Sequence, residues 1–248
     1  MRLLGEFGEL GGYPKPMERF ARRVLGLPPT QDDAEGVAQM TAARWATMPE
    51  RVWTTYRTDP IALARSAWLA GLPIFQGVRS VLELGCGPGR NLAALRRQYP
   101  GLMLRGVDIN AAACEATSSV AWTWRADLYE PLNCAPADVL LTMGVLIHLR
   151  PERVMTLLWE MAQAARWLVL VEQVSERDDV VKGPRAWHPT RRVTGSYVQW
   201  SPNIPAMLRG RGLAFTQERV PEAVQANGAR DVFVVACDPL ATLWLRAG

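Results

Sequence analysis

The chain has 248 residues, 49% of them apolar and 21% charged, with a formal net charge of +4. That is enough apolar material for a sizeable core in one catalytic-sized unit, and the interspersed charges exclude a disordered or single-sign chain. The pI near 9.1 favours anionic partners only weakly. No apolar run reaches the roughly 20 residues of a membrane span, and the opening residues lack a signal-peptide pattern, so a cytoplasmic protein without membrane association is expected.

In chain order, a helical preface comes first. "PMERFARRVLGL", "AEGVAQMTAARWATM" and "PIALARSAWLAGL" are compatible with helices, and residues 1–78 are read as a helical extension that caps the site or binds substrate. Trp45, Trp53, Tyr56 and Trp68 lie in this preface, at a loose spacing that suits either helix packing or a lid. From residue 79 to 248 the pattern changes to short runs rich in Val and Leu: "SVLELG", "LMLRGVDI", "AWTWRAD", "DVLLTMG", "WLVLVEQ", "LAFTQERV" and "DVFVVACD". Runs apolar on both faces and alternating with helices predict a mostly parallel sheet covered on both sides. "PERVMTLLWEMAQAA" is the best-formed helix between them, with Val154, Leu157, Leu158 and Met161 on one stripe. The connection between the last two runs is too short for a helical crossover, which predicts an antiparallel pair at the sheet edge.

Cys86, Cys114, Cys134 and Cys237 are scattered without a CxxC pair, so no metal site is expected. The chemistry concentrates instead in "VLELGCGPGRN", a strand followed by glycines at 85, 87 and 89 and then a helix. Such a turn lets backbone N–H groups and a helix N-terminus approach a ligand closely. Arg90 occupies the third position of the dinucleotide pattern G-x-G-x-x-G, so that fingerprint fails. E-x-G-x-G-x-G does fit, followed by a second strand ending in Asp108, whose carboxylate suits the two hydroxyls of a ribose.

On "ELGCGPG", "GVDIN", "ADLYEP" and "DVLLTMGVLIHL" the chain resembles the class I S-adenosylmethionine (SAM)-dependent methyltransferases over roughly residues 79 to 237. The resemblance implies a Rossmann-like, seven-stranded, mostly parallel sheet with an antiparallel last strand, SAM as cofactor and S-adenosylhomocysteine (SAH) as product. It places Glu83 near the methionine ammonium, with Gly85, Cys86, Gly87 and Asn91 around the turn. Asp108 would hold the ribose and Ile109 the adenine; Asp127 and Leu128 would lie by the adenine amino group, and Met143 and Gly144 would line the transfer cleft. "GRNLAAL", "GVDIN" and "GVLIHLRPE" are similar to methylases associated with pseudaminic acid biosynthesis.

Three residues are candidates for chemistry at the acceptor. His148 follows the fourth strand, where an imidazole suits proton removal; Glu172 closes the fifth strand, where it would orient a hydroxyl or amine or cap a turn. His188 lies in "GPRAWHPTRR" among Arg185, Arg191 and Arg192, which suits a substrate lid and an anionic acceptor. Three functions follow. The first is methylation at O or N of a small molecule such as a sugar, sugar nucleotide or secondary metabolite. The second is nucleic-acid methylation, disfavoured by the absence of an Asn-Pro-Pro-Tyr or Pro-Cys motif. The third is a non-catalytic SAM-binding partner protein.

Overall fold

The computed structural model describes residues 39, 41–173, 185–186, 198–199, 202–225 and 230–237. The first preface helix, His188, Arg191 and Arg192 lie outside the described residues. Seven strands form the main sheet: β1 (Ser80–Leu84), β2 (Met103–Asp108), β3 (Trp122–Arg125), β4 (Ala137–Met143), β5 (Ala165–Glu172), β6 (Ala214–Arg219) and β7 (Asp231–Ala236). Their order is β3-β2-β1-β4-β5-β7-β6. All pairings from β3 across to β5 are parallel, and β7 runs antiparallel to both β5 and β6. The expected edge pair is therefore present. A separate two-residue ladder joins Arg185–Ala186 to Val198–Gln199.

Side chains alternate across the pleat, so each central strand feeds two cores. Val81, Val139, Leu141, Val169 and Val171 pack on one face with Leu69, Phe75, Leu92 and Leu95. Leu82, Leu84, Leu140, Leu168 and Leu170 pack on the other with Val154, Leu157, Leu158 and Met161. The first face is covered by α2 (Pro60–Ala70) and α3 (Arg90–Gln98), and the second by α5 (Pro151–Ala164), whose predicted stripe is buried. Two further helices, α1 (Glu50–Thr58) and α4 (Ala111–Thr117), flank the carboxyl ends of β1 and β2, and α6 (Ile204–Gly210) precedes β6.

Sequence order reverses between β1 and β4, which opens a crevice at the carboxyl ends of those strands. The loops leaving both strands meet there: a Cβ on Gly85 would lie 2.6 Å from Val145 Cγ2. Gly85, Gly87 and Gly89 all have positive φ, at 68°, 51° and 75°, which explains their clustering. Gly89 is also the N-cap of α3, and a Cβ there would lie 2.5 Å from Thr117 Cγ2. Gly89→Ala combines left-handed strain with this overlap and is expected to cost about 2–4 kcal/mol, read as a lower denaturant midpoint.

Candidate active site

A cavity lies over the glycine turn at the sheet's reversal point, walled by the ends of β1, β2 and β4 and by preface residues Thr41, Ala42, Trp45, Trp53 and Tyr56. All eleven residues assigned to the cofactor from the sequence line it, as does His148.

Glu83 lies two residues beyond Val81 and so on the same face of β1, at the end of an otherwise apolar buried row. Its Oε1 accepts a 2.6 Å hydrogen bond from Asn91 Nδ2. Asn91 Oδ1 accepts in turn from Ser66 Oγ at 2.6 Å, which ties the acid to α2 and α3. Glu83 Oε2 is buried without a partner. Desolvation pushes the carboxyl up to about 8, against the opposing hydrogen bond from Asn91. At neutral pH the free carboxyl therefore holds its proton, and a cationic donor at Oε2 would favour the carboxylate.

Asp108 is placed differently. Its Oδ2 accepts from Gly87 N at 2.8 Å and its Oδ1 from Asn110 N at 2.9 Å, so the carboxylate clamps the glycine turn to the end of β2. Each oxygen keeps a second lone pair. Burial raises its pKa, and the backbone donors oppose that shift.

Cys86 contributes backbone to the cavity, because its thiol packs against β2: a Cβ on Gly106 would lie 2.8 Å from Cys86 Sγ. Desolvation drives that thiol far above its ordinary pKa, so it is a neutral packing group. Ile109 and Leu128 offer apolar surface on the β2 and β3 side. β3 ends at Arg125, two residues before the expected Asp127, whose Oδ1 accepts from Tyr129 N at 2.9 Å and organises the following turn. Met143 closes β4, and Gly144 follows it with φ of 68°.

The catalytic candidates separate in space. His148 faces the cavity from a short 3-10 turn (Leu146–His148), with its ring 4.9 Å from that of Trp45. Burial and the Arg230 charge hold its imidazole down at about 3, so it is neutral at pH 7. Glu172 is not among the lining residues: it is fully buried and accepts from Val145 N at 3.0 Å, beneath the loop after β4. That geometry matches the turn-capping reading of this residue. Desolvation raises its carboxyl to about 6.

The preface supplies what the motifs did not point to. Trp53 is 3% exposed, and its ring lies 3.7 Å from where a Cβ on Gly87 would be. Trp45 stacks on it at 6.2 Å. Asn110 Nδ2 donates to the carbonyls of Trp45 and Met48 at 2.9 and 3.0 Å, which ties this aromatic wall to the Asp108 turn. The sequence signal for Asn110 was its place directly after the strand-ending pair, where an N-cap is due; it caps α4 through Ala113 N at 3.1 Å.

Residues 81–167 match the methyltransferase-domain family. Ribosomal RNA small subunit methyltransferase C of Aeromonas hydrophila is 32% identical to the chain over 85 residues, covering 32% of this chain and 24% of that relative. The chain therefore spans about a quarter of that protein's length. An O-methyltransferase family protein from Burkholderia thailandensis superposes with a TM-score of 0.58 at 17% identity, over 79% of this chain and 62% of that one. Magnesium protoporphyrin IX methyltransferase from Synechocystis PCC 6803, crystallised with bound SAM, gives 0.57 at 14% identity, over 81% and 96% of the two chains. At these identities the structural likeness establishes the Rossmann-like methyltransferase fold. No helix among the described residues is long and apolar enough to cross a membrane.

Proposed function

We propose that the protein is a SAM-dependent methyltransferase that modifies an oxygen or nitrogen atom of a small molecule. The observation that carries the cofactor is the orphaned Glu83 Oε2, buried in the wall of a cavity whose other polar end is Asp108. A buried carboxylate oxygen without a donor is costly, and an ammonium group is the partner that relieves it. SAM carries such an ammonium at one end and a ribose at the other.

In this reading Glu83 holds the ammonium and Asp108 accepts from the ribose hydroxyls, while the left-handed backbone at Gly85 and Gly87 lets the ligand lie close to the turn. Ile109 and Leu128 cover the adenine, and Asp127 lies by its amino group. Bound SAM supplies a methyl carbon on a sulfonium, which the acceptor attacks in line as the carbon–sulfur bond breaks and SAH is left behind. The protein's own task is to align the acceptor, exclude water and receive a proton. Residues 1–78 serve as the cap, through Trp45 and Trp53 over the glycine turn. The apolar lining of Met143, Val145 and Leu149 suits a small organic acceptor. A sugar or sugar nucleotide of the pseudaminic type rests on the motifs "GRNLAAL" and "GVLIHLRPE" alone.

His148 is the candidate base that faces the cavity. With its imidazole at about 3, it is a neutral acceptor throughout the working range, so kcat should show no acid limb near pH 6.5 from this residue. His148→Ala should lower kcat while SAH affinity, read by calorimetry, stays unchanged. Unaltered turnover would remove the histidine from the proton path.

Methylation of RNA is the second reading, favoured by the local similarity to a ribosomal RNA methyltransferase. One experiment separates the two: transfer of label from methyl-tritiated SAM into a fractionated extract, with Asp108→Ala as control. Asp108-dependent counts in the small-molecule pool support the first reading. Counts in nucleic acid would replace it with the second, and SAH binding without counts in any pool would favour a non-catalytic SAM-binding protein.

A further inference from the structure

Three arginines from distant parts of the chain gather beside the transfer end of the cavity; Arg90 lines it, and Arg65 and Arg230 are not among its lining residues. Arg230, directly before β7, lays its guanidinium against the turn after β4: a Cβ on Gly144 would lie 3.3 Å from Arg230 Nη2. Arg230 Nε is buried and has no hydrogen-bond partner. Arg65, on α2, is 4% exposed; it donates Nε to the Val224 carbonyl at 2.7 Å and leaves Nη2 buried without an acceptor. Arg90, at the start of α3, lines the cavity and is oriented by bonds from Nε to Ser66 Oγ and from Nη1 to the Tyr56 carbonyl.

The arrangement is held together by the backbone. Val220 N donates to the Arg230 carbonyl at 3.0 Å, so the 220–225 segment that receives Arg65 is fixed to the residue that carries Arg230. Ser66 connects the Arg65 helix to Arg90. None of the three guanidiniums is ion-paired with a described carboxylate. Burial first, and then the Arg230 and Arg90 charges, bring Arg65 down to about 10 against the opposing charge of Asp59, while Glu83 acts in the same opposing sense on Arg90. Fixed positive charges with unused buried N–H groups are costly unless an anion completes them.

We propose that Arg65, Arg90 and Arg230 form an anion subsite at the transfer end of the cavity that binds a carboxylate or a phosphate. The inference rests on the reading of the cavity as a SAM site, and it narrows the acceptor to an acidic small molecule. Such an anion has two sources, the acceptor or the carboxylate of the cofactor's own amino-acid end. Acceptor recognition is the expected one, because Arg230 contacts the turn at Gly144, on the β4 side of the crevice, whereas Glu83 lies on the neighbouring strand β1, one residue before its end.

The test is calorimetric and uses inorganic phosphate, SAH and the SAH analogue lacking the α-carboxylate, with wild type, Arg230→Gln, Arg65→Gln and Arg230→Lys. SAH-saturated wild type should bind phosphate, and either Gln variant should weaken that binding about tenfold or more with SAH affinity unchanged. Arg230→Lys should restore part of it, which a folding defect would not do. If the Gln variants instead weaken SAH but leave the decarboxylated analogue untouched, the subsite stands and its anion is the cofactor's. SAH binding that is indifferent to every variant, with no phosphate binding, overturns the inference and leaves the methyl-transfer reading intact. Wild type that fails to bind SAH overturns both.

Discussion

Asp108→Ala should weaken SAH binding by about 100-fold, on the order of 3 kcal/mol, while the protein stays folded. The size follows from a double duty. The carboxylate receives Gly87 N and Asn110 N at 2.8 and 2.9 Å, so it sets the glycine turn before any ligand arrives. Its remaining lone pairs would take both ribose hydroxyls. Alanine removes the ligand contacts and also leaves two N–H groups near the cavity without their acceptor. Asp108→Asn keeps one acceptor oxygen and should fall between, at about tenfold, with each step read by calorimetry at constant salt.

Glu83→Gln should weaken SAH by a similar factor, about 30- to 100-fold, and should also change how affinity and stability depend on pH. In the free protein the Glu83 carboxyl stands at about 8, above the ordinary 4.5, because it is desolvated. An ammonium beside it favours the carboxylate, so binding near neutral pH should release a proton from Glu83, and affinity should rise with pH up to about 8. The glutamine variant should lack that release, which is measured by titrating in buffers of different ionisation enthalpy.

The stability of the free protein should move the other way. Between pH 4.5 and 8 the folded state holds a proton on Glu83 that the unfolded chain has lost, so this residue makes stability fall as pH rises. Glu172 acts in the same sense from 4.5 to 6. His148 opposes both, since its folded value of about 3 against 6.5 makes stability rise with pH over that interval. Only Glu83 among the three acts from pH 6.5 to 8, where the melting temperature of wild type should decline and that of Glu83→Gln should stay flatter. A flat wild-type profile there would contradict the desolvated acid.

The sheet was legible because its central strands are buried on both faces. "VLEL" and "WLVLV" admit little else, and the glycines at 85, 87 and 89 mark left-handed positions that other residues adopt at a cost. Glu83 and Asp108 stood out for a related reason, each being a charge at the end of an apolar run. Other parts of the site were beyond a linear reading. The spacing of Trp45 and Trp53 left helix packing and a lid both open, and what ties them to the site is Asn110 holding the Trp45 and Met48 carbonyls, a contact across 62 to 65 positions. Glu172 was ambiguous because a strand-ending acid caps a loop as readily as it faces a substrate; its bond to Val145 N shows the loop. Arg230 gave no signal, since its approach to Gly144 depends on β7 pairing with β5, a feature of sheet order that no local motif encodes.

The most direct measurement is a crystal structure of the protein grown with SAH. The SAH amino group is expected within hydrogen-bond distance of Glu83 Oε2, with the ribose hydroxyls on Asp108 and Trp53 over the glycine turn. SAH bound elsewhere, or lying in the cavity with its amino group away from Glu83, would contradict the account.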